Sequence, residues 1–521
     1  MRMMEKRQIG SKKVMPFTIP SGIVATEVSC LERLAKGIPE LGILTTKSIG
    51  PQPRAGNREP ILAQYLPQGF VNAVGLTNPG AEEFAKKLSL ANFPEDKFLL
   101  ASIFGKDVSE FVYVASTLEK FVDGFELNLS CPHAKGYGMQ LGQDKDVVGK
   151  ITHEVVEVVR KPVYAKLTPN AGNIGEIAKS AISAGAEGIV AINTVGPGYY
   201  SIDGNPVLTN KVGGLSGIGI TPIGLKCVRD IRQAIGENIP IIGMGGIRNA
   251  RDIGAYAEVG ATFFGVGSAL AGMNEREIKA YFFALKADID GGGWTNSAEG
   301  LLKKVNMQYK KVRIEKKIDS ACDFNIIQTD EIMLSEPGQF IFVWIPGVGE
   351  KPFSVMDDDP LTLGVLERGE FTRKLNSLQK GDSFYVRGPY GQGVNAPQKS
   401  NIVLVGGGCG IAGLYLLAKK LSRDSDVLTL LAAKDREHIA YLDRFREYGK
   451  VEIATEDGSL GRKGLVTDLM DNLREGSYFF NCGPKAMINA VLPLELKVSA
   501  PEMVYSSVDY MTRCGIGICG S

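Results

Sequence analysis

Histidine is nearly absent from this sequence, with only His133, His153 and His438 in 521 residues. A multi-histidine metal site or a histidine-based triad therefore has few candidates. Cysteine is also sparse, and eight spread over this length do not make a disulfide scaffold. Charge of one sign is missing too: 59 basic against 58 acidic residues leave a net +1. That balance speaks against a nucleic-acid partner or a polybasic membrane surface. No stretch reaches the ~18 uninterrupted apolar residues of a membrane span, so no integral membrane protein is expected. The basic Met1–Lys13 segment lacks the apolar core of a signal peptide. A cytoplasmic enzyme with reduced cysteines is the expectation. Glycine, by contrast, is abundant: 63 residues, about 12% against a usual ~7%.

The length suits two to four domains. Short apolar strands alternate with amphipathic stretches over the first 300 residues. The expected strands are Pro16–Pro20, Gly42–Lys47, Phe98–Phe104, Gly124–Leu129, Pro162–Leu167, Gly188–Asn193, Pro240–Gly245 and Phe263–Val266. Helices are expected to follow, clearest at Val147–Val159 and Asn173–Ala184. Eight such units fit an α/β fold of the (β/α)8 TIM-barrel type, with an open doubly wound sheet as the alternative. Two insertions after strands stand out, Ile49–Gln68 and Gly196–Gly213.

Gly291-Gly292-Gly293 marks a change of texture. After an amphipathic Ala298–Lys304, strands are expected at Tyr309–Ile314, Gln339–Ile345, Leu361–Leu366 and Ser383–Arg387, as a small antiparallel β-barrel. From Asn401 the pattern returns to strand, glycine loop and helix, as in a Rossmann-like α/β domain. The expected domains are therefore 1–300, 306–398, 399–500 and a cysteine-bearing tail over 501–521.

The chemistry-bearing residues of the first domain fall at strand ends, where a barrel places its site. Asn128 and Cys131 close the fourth strand in Glu126-Leu127-Asn128-Leu129-Ser130-Cys131-Pro132-His133. A thiol there is either a buried structural cysteine or a nucleophile or general base, on a glycine-rich loop. Lys47 and Ser48 end the second strand, Lys166 and Thr168 the fifth, and Asn193-Thr194 the sixth. Two lysines at such positions are either surface residues or pocket residues needing an anionic partner. A flavin would provide one, because its N1–C2 edge becomes anionic on reduction. Glycine loops at 213–217, 243–246 and 265–268 suit a flavin mononucleotide phosphate, held by backbone N–H groups.

Six motifs in order, Thr46-Lys47-Ser48, Val71–Gly80, Asn128–Pro132, Ala165–Asn170, Ile192-Asn193-Thr194 and the glycine loops, closely resemble the dihydroorotate dehydrogenase family. The resemblance covers residues 10–290. It implies an FMN barrel in which Cys131 takes the C5 proton of dihydroorotate while hydride leaves C6. Lys47, Asn72, Gly75, Leu76, Asn128, Asn193 and Thr194 would contact the substrate. Ser21, Gly22, Lys47, Ser48, Asn128, Lys166, Ile192, Gly217, Gly245, Gly246, Gly267 and Ser268 would line the FMN. Where the family often has Asn two residues after the cysteine, this chain has His133. That version, with Gly142-Gln143-Asp144, also resembles dihydropyrimidine dehydrogenase, whose barrel reduces uracil and thymine.

Lys351-Pro352-Phe353-Ser354, Gly369–Leu375 and Arg387-Gly388-Pro389-Tyr390-Gly391 resemble the FAD module of ferredoxin reductases. Lys351 stands where that family has Arg, keeping the charge and losing the bidentate fork. Thr372 would help hold the FAD phosphates. Gly408, Gly410 and Gly413 satisfy the dinucleotide pattern between strand Ile402–Val405 and helix Leu414–Leu421. They imply NAD, with NADP left open. Cys482, in Asn481-Cys482-Gly483-Pro484, is either a nicotinamide neighbour or a small core residue. Cys514 and Cys519 open a C-x4-C-x2-C spacing, which implies a [2Fe–2S] cluster. The third ligand would fall one residue past Ser521, so the natural sequence is expected to continue. Over about residues 308–521 the chain resembles the iron–sulfur electron-transfer subunit of NAD-dependent dihydroorotate dehydrogenases. Together the resemblances imply dihydroorotate oxidation in pyrimidine biosynthesis, with electrons running FMN to [2Fe–2S] to FAD to NAD. A homo-oligomer remains open.

Overall fold

The computed structural model describes residues 5–129, 141–292, 295–321, 324–439, 441–471, 473–508 and 511–520. The chain divides into two compact units, residues 1–306 with 516–521, and residues 307–515.

In the first unit, short apolar runs form strands buried on both faces, the pattern of a parallel sheet covered by helices. They are β1 (Phe17–Ile19), β2 (Leu41–Thr45), β3 (Phe98–Ile103), β4 (Gly124–Asn128), β5 (Val163–Leu167), β6 (Gly188–Ala191), β7 (Ile241–Met244) and β8 (Phe263–Gly265). Each pairs in parallel with the next, and Phe264 opposite Phe17 closes the barrel. The alternative of an open doubly wound sheet is thereby excluded for this unit. Eight helices follow in turn: α1 (Val28–Gly37), α2 (Ala81–Ser89), α3 (Val108–Leu118), α4 (Lys145–Val158), α5 (Ile174–Ser183), α6 (Thr221–Ile235), α7 (Ala250–Glu258) and α8 (Glu275–Asp290). Asp107, Asp144, Asn173, Asn249 and Asn274 cap α3, α4, α5, α7 and α8 through their side chains. Each such cap stabilises its helix by about 1 kcal/mol.

Two apolar layers hold the barrel together. One lies between strands and helices. The other fills the lower interior with Ile43, Phe98, Leu100, Tyr164, Val190, Ile242 and Phe263, joined by Ile9 and Val14 of an N-terminal hairpin. The upper interior turns polar. Thr18 and Thr45 share a hydrogen bond of 2.9 Å, and Ser102 one of 2.9 Å with Ser48. The insertions after β2 and β6 combine into a four-stranded antiparallel sheet, ordered Val195–Tyr199, Val212–Gly217, Gly69–Asn72 and Leu62–Leu66.

The second unit holds two sheets. The first is antiparallel, from β9 (Lys310–Ala321), β10 (Phe324–Thr329), β11 (Phe340–Ile345), β12 (Gly349–Ser354), β13 (Asp357–Asp358), β14 (Leu361–Leu366) and β15 (Ser383–Tyr390). Their order is β12-β11-β15-β9-β10-β14-β13. Among the described residues this is a seven-stranded antiparallel sheet, in the region where the sequence suggests a small antiparallel β-barrel. Strand β9 is longer than expected. Its first four residues pair with β15 and its remainder with β10. The amphipathic segment 298–304 contributes only to the single helical turn α9 (Ser297–Gly300).

The second sheet is parallel, from β16 (Asn401–Gly407), β17 (Asp426–Ala433), β18 (Lys450–Thr455), β19 (Arg462–Lys463), β20 (Tyr478–Cys482) and β21 (Val504–Ser507). The order β19-β18-β17-β16-β20-β21 reverses direction at β16. Helices α10 (Glu370–Ser377), α11 (Ile411–Leu421), α12 (Leu442–Arg446) and α13 (Lys485–Glu495) complete the unit. Helix α11 begins three residues earlier than the sequence suggested, directly after the glycine loop. Among the described residues no helix is long and apolar enough to cross a membrane.

Candidate active site

The carboxyl ends of the barrel strands open into a cavity of about 170 Å3. Of the residues singled out in the sequence, Ser21, Gly22, Lys47, Ser48, Asn72, Gly75, Leu76, Asn128, Asn193 and Thr194 all line it. Ser21 and Gly22 follow β1, Lys47 and Ser48 follow β2, Asn128 ends β4, and Asn193 and Thr194 follow β6. Asn72 comes from the rim sheet, where it donates to the Gly214 carbonyl at 3.1 Å.

A hydrogen-bonded chain fixes the floor of this cavity. Asn193 Nδ2 donates to Asn128 Oδ1 at 3.2 Å, and Asn128 Nδ2 donates to Ser48 Oγ at 2.9 Å. Ser48 in turn lies 2.9 Å from Ser21 Oγ. The Thr194 backbone N–H donates to Asn193 Oδ1 at 2.8 Å, which sets the second amide. Because each amide both gives and receives, neither can flip without losing a bond. Glycine at position 22 is a close-approach requirement: its φ is +79°, and a Cβ there would come 3.2 Å from Lys47 Nζ.

The glycine loops after the last strands form a second assembly at the same end of the barrel. Gly217, Gly245 and Gly246 all adopt positive φ. A Cβ on Gly246 would sit 2.1 Å from Thr221 Oγ1 and 2.8 Å from the Gly217 carbonyl, so these two loops meet at the start of α6. A Cβ on Gly217 would come 1.9 Å from the Gln68 carbonyl. Tyr256 secures Gly245 by donating to its carbonyl at 2.8 Å. Burial pushes the Tyr256 phenol well above its ordinary value, so it stays a donor at any working pH. A Cβ on Gly267 would lie in ordinary contact with Pro20 and Ile23, at 3.6 Å and 3.7 Å. Glycine loops after strands seven and eight, beside the start of a long helix, fit a phosphate group.

Lys166, Ile192, Gly217, Gly245, Gly246, Gly267 and Ser268 do not line the cavity itself. Lys166 lies one strand over from Asn128 and in register with it. Its ammonium is 3.2 Å from Glu126 Oε1, and both side chains are buried. Cys131 lies outside the described residues, as does His133. Several lining residues carried no local signal in the sequence. Phe70 and Ser216 become neighbours through the rim sheet, and Leu62 comes from its edge strand. Ile518 and Cys519 also line the cavity, where the Val24 N–H donates to the Ile518 carbonyl at 3.0 Å.

In the second unit, Gly408 and Gly410 lie between β16 and α11 and Gly413 in the first turn of α11, at the point where strand order reverses. Open α/β sheets bind ligands at such a point. A Cβ on Gly410 would strike the Cys482 carbonyl at 2.1 Å, and one on Gly413 would lie 3.2 Å from Cys482 Sγ and 3.7 Å from Ser354 Oγ. The glycine loop, Ser354 and Cys482 thus converge. Lys351 and Pro352 are exposed on β12, and Phe353 lies 6.2 Å from the Phe371 ring. Thr372 departs from expectation: its hydroxyl accepts from the Arg368 and Gly369 N–H groups and caps α10. Cys514 is buried in this unit, and its carbonyl accepts from Arg387 Nη1 at 3.0 Å. Among the described residues, no three Cys, His, Asp or Glu side chains gather as a metal site. Cys514 and Cys519 alone are half of the four thiolates a [2Fe–2S] cluster takes, so the residues present do not complete that site.

Comparison with known proteins agrees with this geometry. The dihydroorotate dehydrogenase family profile matches residues 3–279. The chain is 42% identical over 257 residues to "Dihydroorotate dehydrogenase B (NAD(+)), catalytic subunit" of Methanocaldococcus jannaschii, covering 49% of this chain and 82% of that protein. It is 42% identical over 273 residues to the protein of the same name in Pyrococcus horikoshii, covering 52% and 87%. For the Pyrococcus abyssi protein the figures are 42% over 272 residues, 51% and 88%. The chain belongs to the dihydroorotate dehydrogenase family and is an oxidoreductase.

Proposed function

We propose that this protein oxidises dihydroorotate to orotate, in pyrimidine biosynthesis, and passes the electrons to NAD through its second unit. The observation that carries the reading is the rim cavity, which combines one cation with three amides and four hydroxyls around apolar walls. That set suits a planar, hydrogen-bonding ring bearing a carboxylate. Lys47 pairs with the carboxylate, and Asn72, Asn128, Asn193 and Thr194 hold the ring edges, with Gly75 and Leu76 closing over it. Dihydroorotate loses a proton from C5 and a hydride from C6. Cys131, placed by sequence on the loop after β4, takes the proton.

FMN bound in the barrel supplies the two-electron acceptor. Ser21, Gly22, Ser48, Asn128, Ile192 and Lys166 hold its ring, while Gly217, Gly245, Gly246, Gly267 and Ser268 receive its phosphate side. The glycine loops described above support that assignment. The domains share the work: residues 1–300 act on the substrate, 306–398 hold FAD and 399–500 hold NAD. Lys351, Pro352, Phe353 and Ser354 would lie along the FAD, and Gly408, Gly410 and Gly413 along the NAD. Thr372 is left out of the FAD contacts because its hydroxyl caps α10. No step is assigned to a [2Fe–2S] cluster at Cys514 and Cys519.

The test uses the full chain with dihydroorotate and, separately, dihydrouracil as donor, reading NAD reduction. Turnover with dihydroorotate and little with dihydrouracil is expected. The reverse preference overturns the reading in favour of a dihydropyrimidine dehydrogenase-like enzyme. Cys131→Ala should lower turnover by at least ~100-fold, the scale of a lost general base, with FMN still bound. Unchanged turnover would remove Cys131 from the mechanism.

A further inference from the structure

The interior of the barrel is apolar below and hydrogen-bonded above, with one exception between the two. Glu126 and Lys166 meet there, 1% and 4% exposed, with Oε1 3.2 Å from Nζ. The second oxygen, Glu126 Oε2, is buried and has no hydrogen-bond partner among the described residues. A buried carboxylate with one contact is costly, and an apolar pair would stabilise a barrel interior at least as well. The neighbouring interior positions follow that rule with Leu100, Tyr164 and Val190. Stability therefore does not explain the pair.

Its position does. Lys166 stands in register with Asn128, which lines the cavity. Glu126 is two residues before Asn128 on β4, so it shares the same face and lies one layer deeper. The carboxylate thus holds the ammonium from below and offsets part of its charge.

We propose that Glu126 is a positioning residue for Lys166 and, through it, sets how strongly the flavin site favours the reduced cofactor. The inference rests on the FMN reading above. A reduced flavin carries negative charge on the edge that Lys166 would face. In a low-dielectric interior the strength of that cation depends on whether a carboxylate neutralises it. With Glu126 in place the pair is nearly neutral, and the pull on the reduced form is held in check.

The midpoint potential of bound FMN, titrated in the full chain, reads this out. Glu126→Gln should favour reduced over oxidised FMN by about tenfold, a rise of ~30 mV for two electrons. Lys166→Met should move the potential the other way, and the double variant should match Lys166→Met alone, because Glu126 acts through the lysine. If Glu126→Gln does not fold, Glu126→Asp decides: pulling the carboxylate back weakens the pair and should give a smaller rise in the same direction. A potential that is unchanged or lowered in these Glu126 variants, with FMN bound, overturns the proposal. A wild-type protein that binds no FMN, or whose flavin is not bleached by dihydroorotate, fails the functional reading instead.

Discussion

Among the described residues, each unit of the chain seals one ion pair away from solvent, and the two are finished differently. In the second unit Arg387 grips Glu350 with both ends of its fork, at 2.6 Å and 2.7 Å. Tyr309 donates to the same carboxylate, Arg387 Nη1 takes the Cys514 carbonyl, and the guanidinium lies 4.0 Å from the Phe342 ring centroid. In the barrel, Glu126 meets Lys166 through one oxygen, and its other oxygen has no hydrogen-bond partner among the described residues. A fully satisfied buried pair locks a fold in place. A half-satisfied one persists where something other than stability selects it, and it sits beside the cavity rather than in the middle of a sheet.

That contrast can be broken by stability measurements, and the largest effect is expected at Arg387. Arg387→Met leaves the Glu350 carboxylate buried without its cation, and should destabilise the second unit by ~3–5 kcal/mol. Adding Glu350→Gln should recover part of that loss. Glu126→Gln in the barrel should cost less, about 1–3 kcal/mol, because the amide oxygen can still accept from Lys166 and only the carboxylate charge is removed. Thermal unfolding of the full-chain variants decides: equal losses at the two sites would mean that the barrel pair is structural after all.

The same distinction explains how far the sequence could be read. The eight barrel strands were legible because strands buried on both faces are short continuous apolar runs, and nearly every strand end carried a polar residue. Five residues named from those ends, Lys47, Ser48, Asn128, Asn193 and Thr194, come together in one cavity with five that only the family resemblance pointed to, Ser21, Gly22, Asn72, Gly75 and Leu76. The far wall was not legible, since Ser216 meets Phe70 through a strand pairing across 146 positions. No local pattern encodes that register. The partner change of β9 part-way along the antiparallel sheet was not legible for a related reason. Glu126 stood in plain view beside Asn128, yet sequence alone does not show that its partner is Lys166, 40 residues on.

Glu495 is the second unit's counterpart of Glu126, and it should produce an intermediate effect. It is buried at the end of α13, accepts from Asn481 Nδ2 at 2.8 Å, and leaves Oε1 without a partner among the described residues. Burial pushes its carboxyl up from 4.5 to about 7. Because the folded value is raised, the folded state binds this proton more tightly than the unfolded one. The stability it gives is full below about 4.5 and is lost as pH rises through about 7. Glu495→Gln should flatten that slope and raise the melting temperature on the alkaline side. Each kcal/mol moves the melting of a unit this size by ~2–4 °C, so the change is measurable. Parallel pH profiles in wild type and variant would show that Glu495 is not the titrating group.

The smallest expected effect separates capping from cofactor binding. Thr372 looks like a phosphate contact in sequence, but its hydroxyl is spent on the first turn of α10, where it accepts at 2.8 Å from the Arg368 N–H and 3.1 Å from the Gly369 N–H. Thr372→Ala removes those bonds and should cost about 1 kcal/mol, the usual scale of a lost helix cap. FAD content of the purified protein should be unchanged, since the hydroxyl has no further donor proton to give once it binds the Gly369 carbonyl. Loss of FAD without loss of stability would return Thr372 to the cofactor. It would also show that the second unit, like the barrel, keeps a polar group for its ligand rather than for its fold.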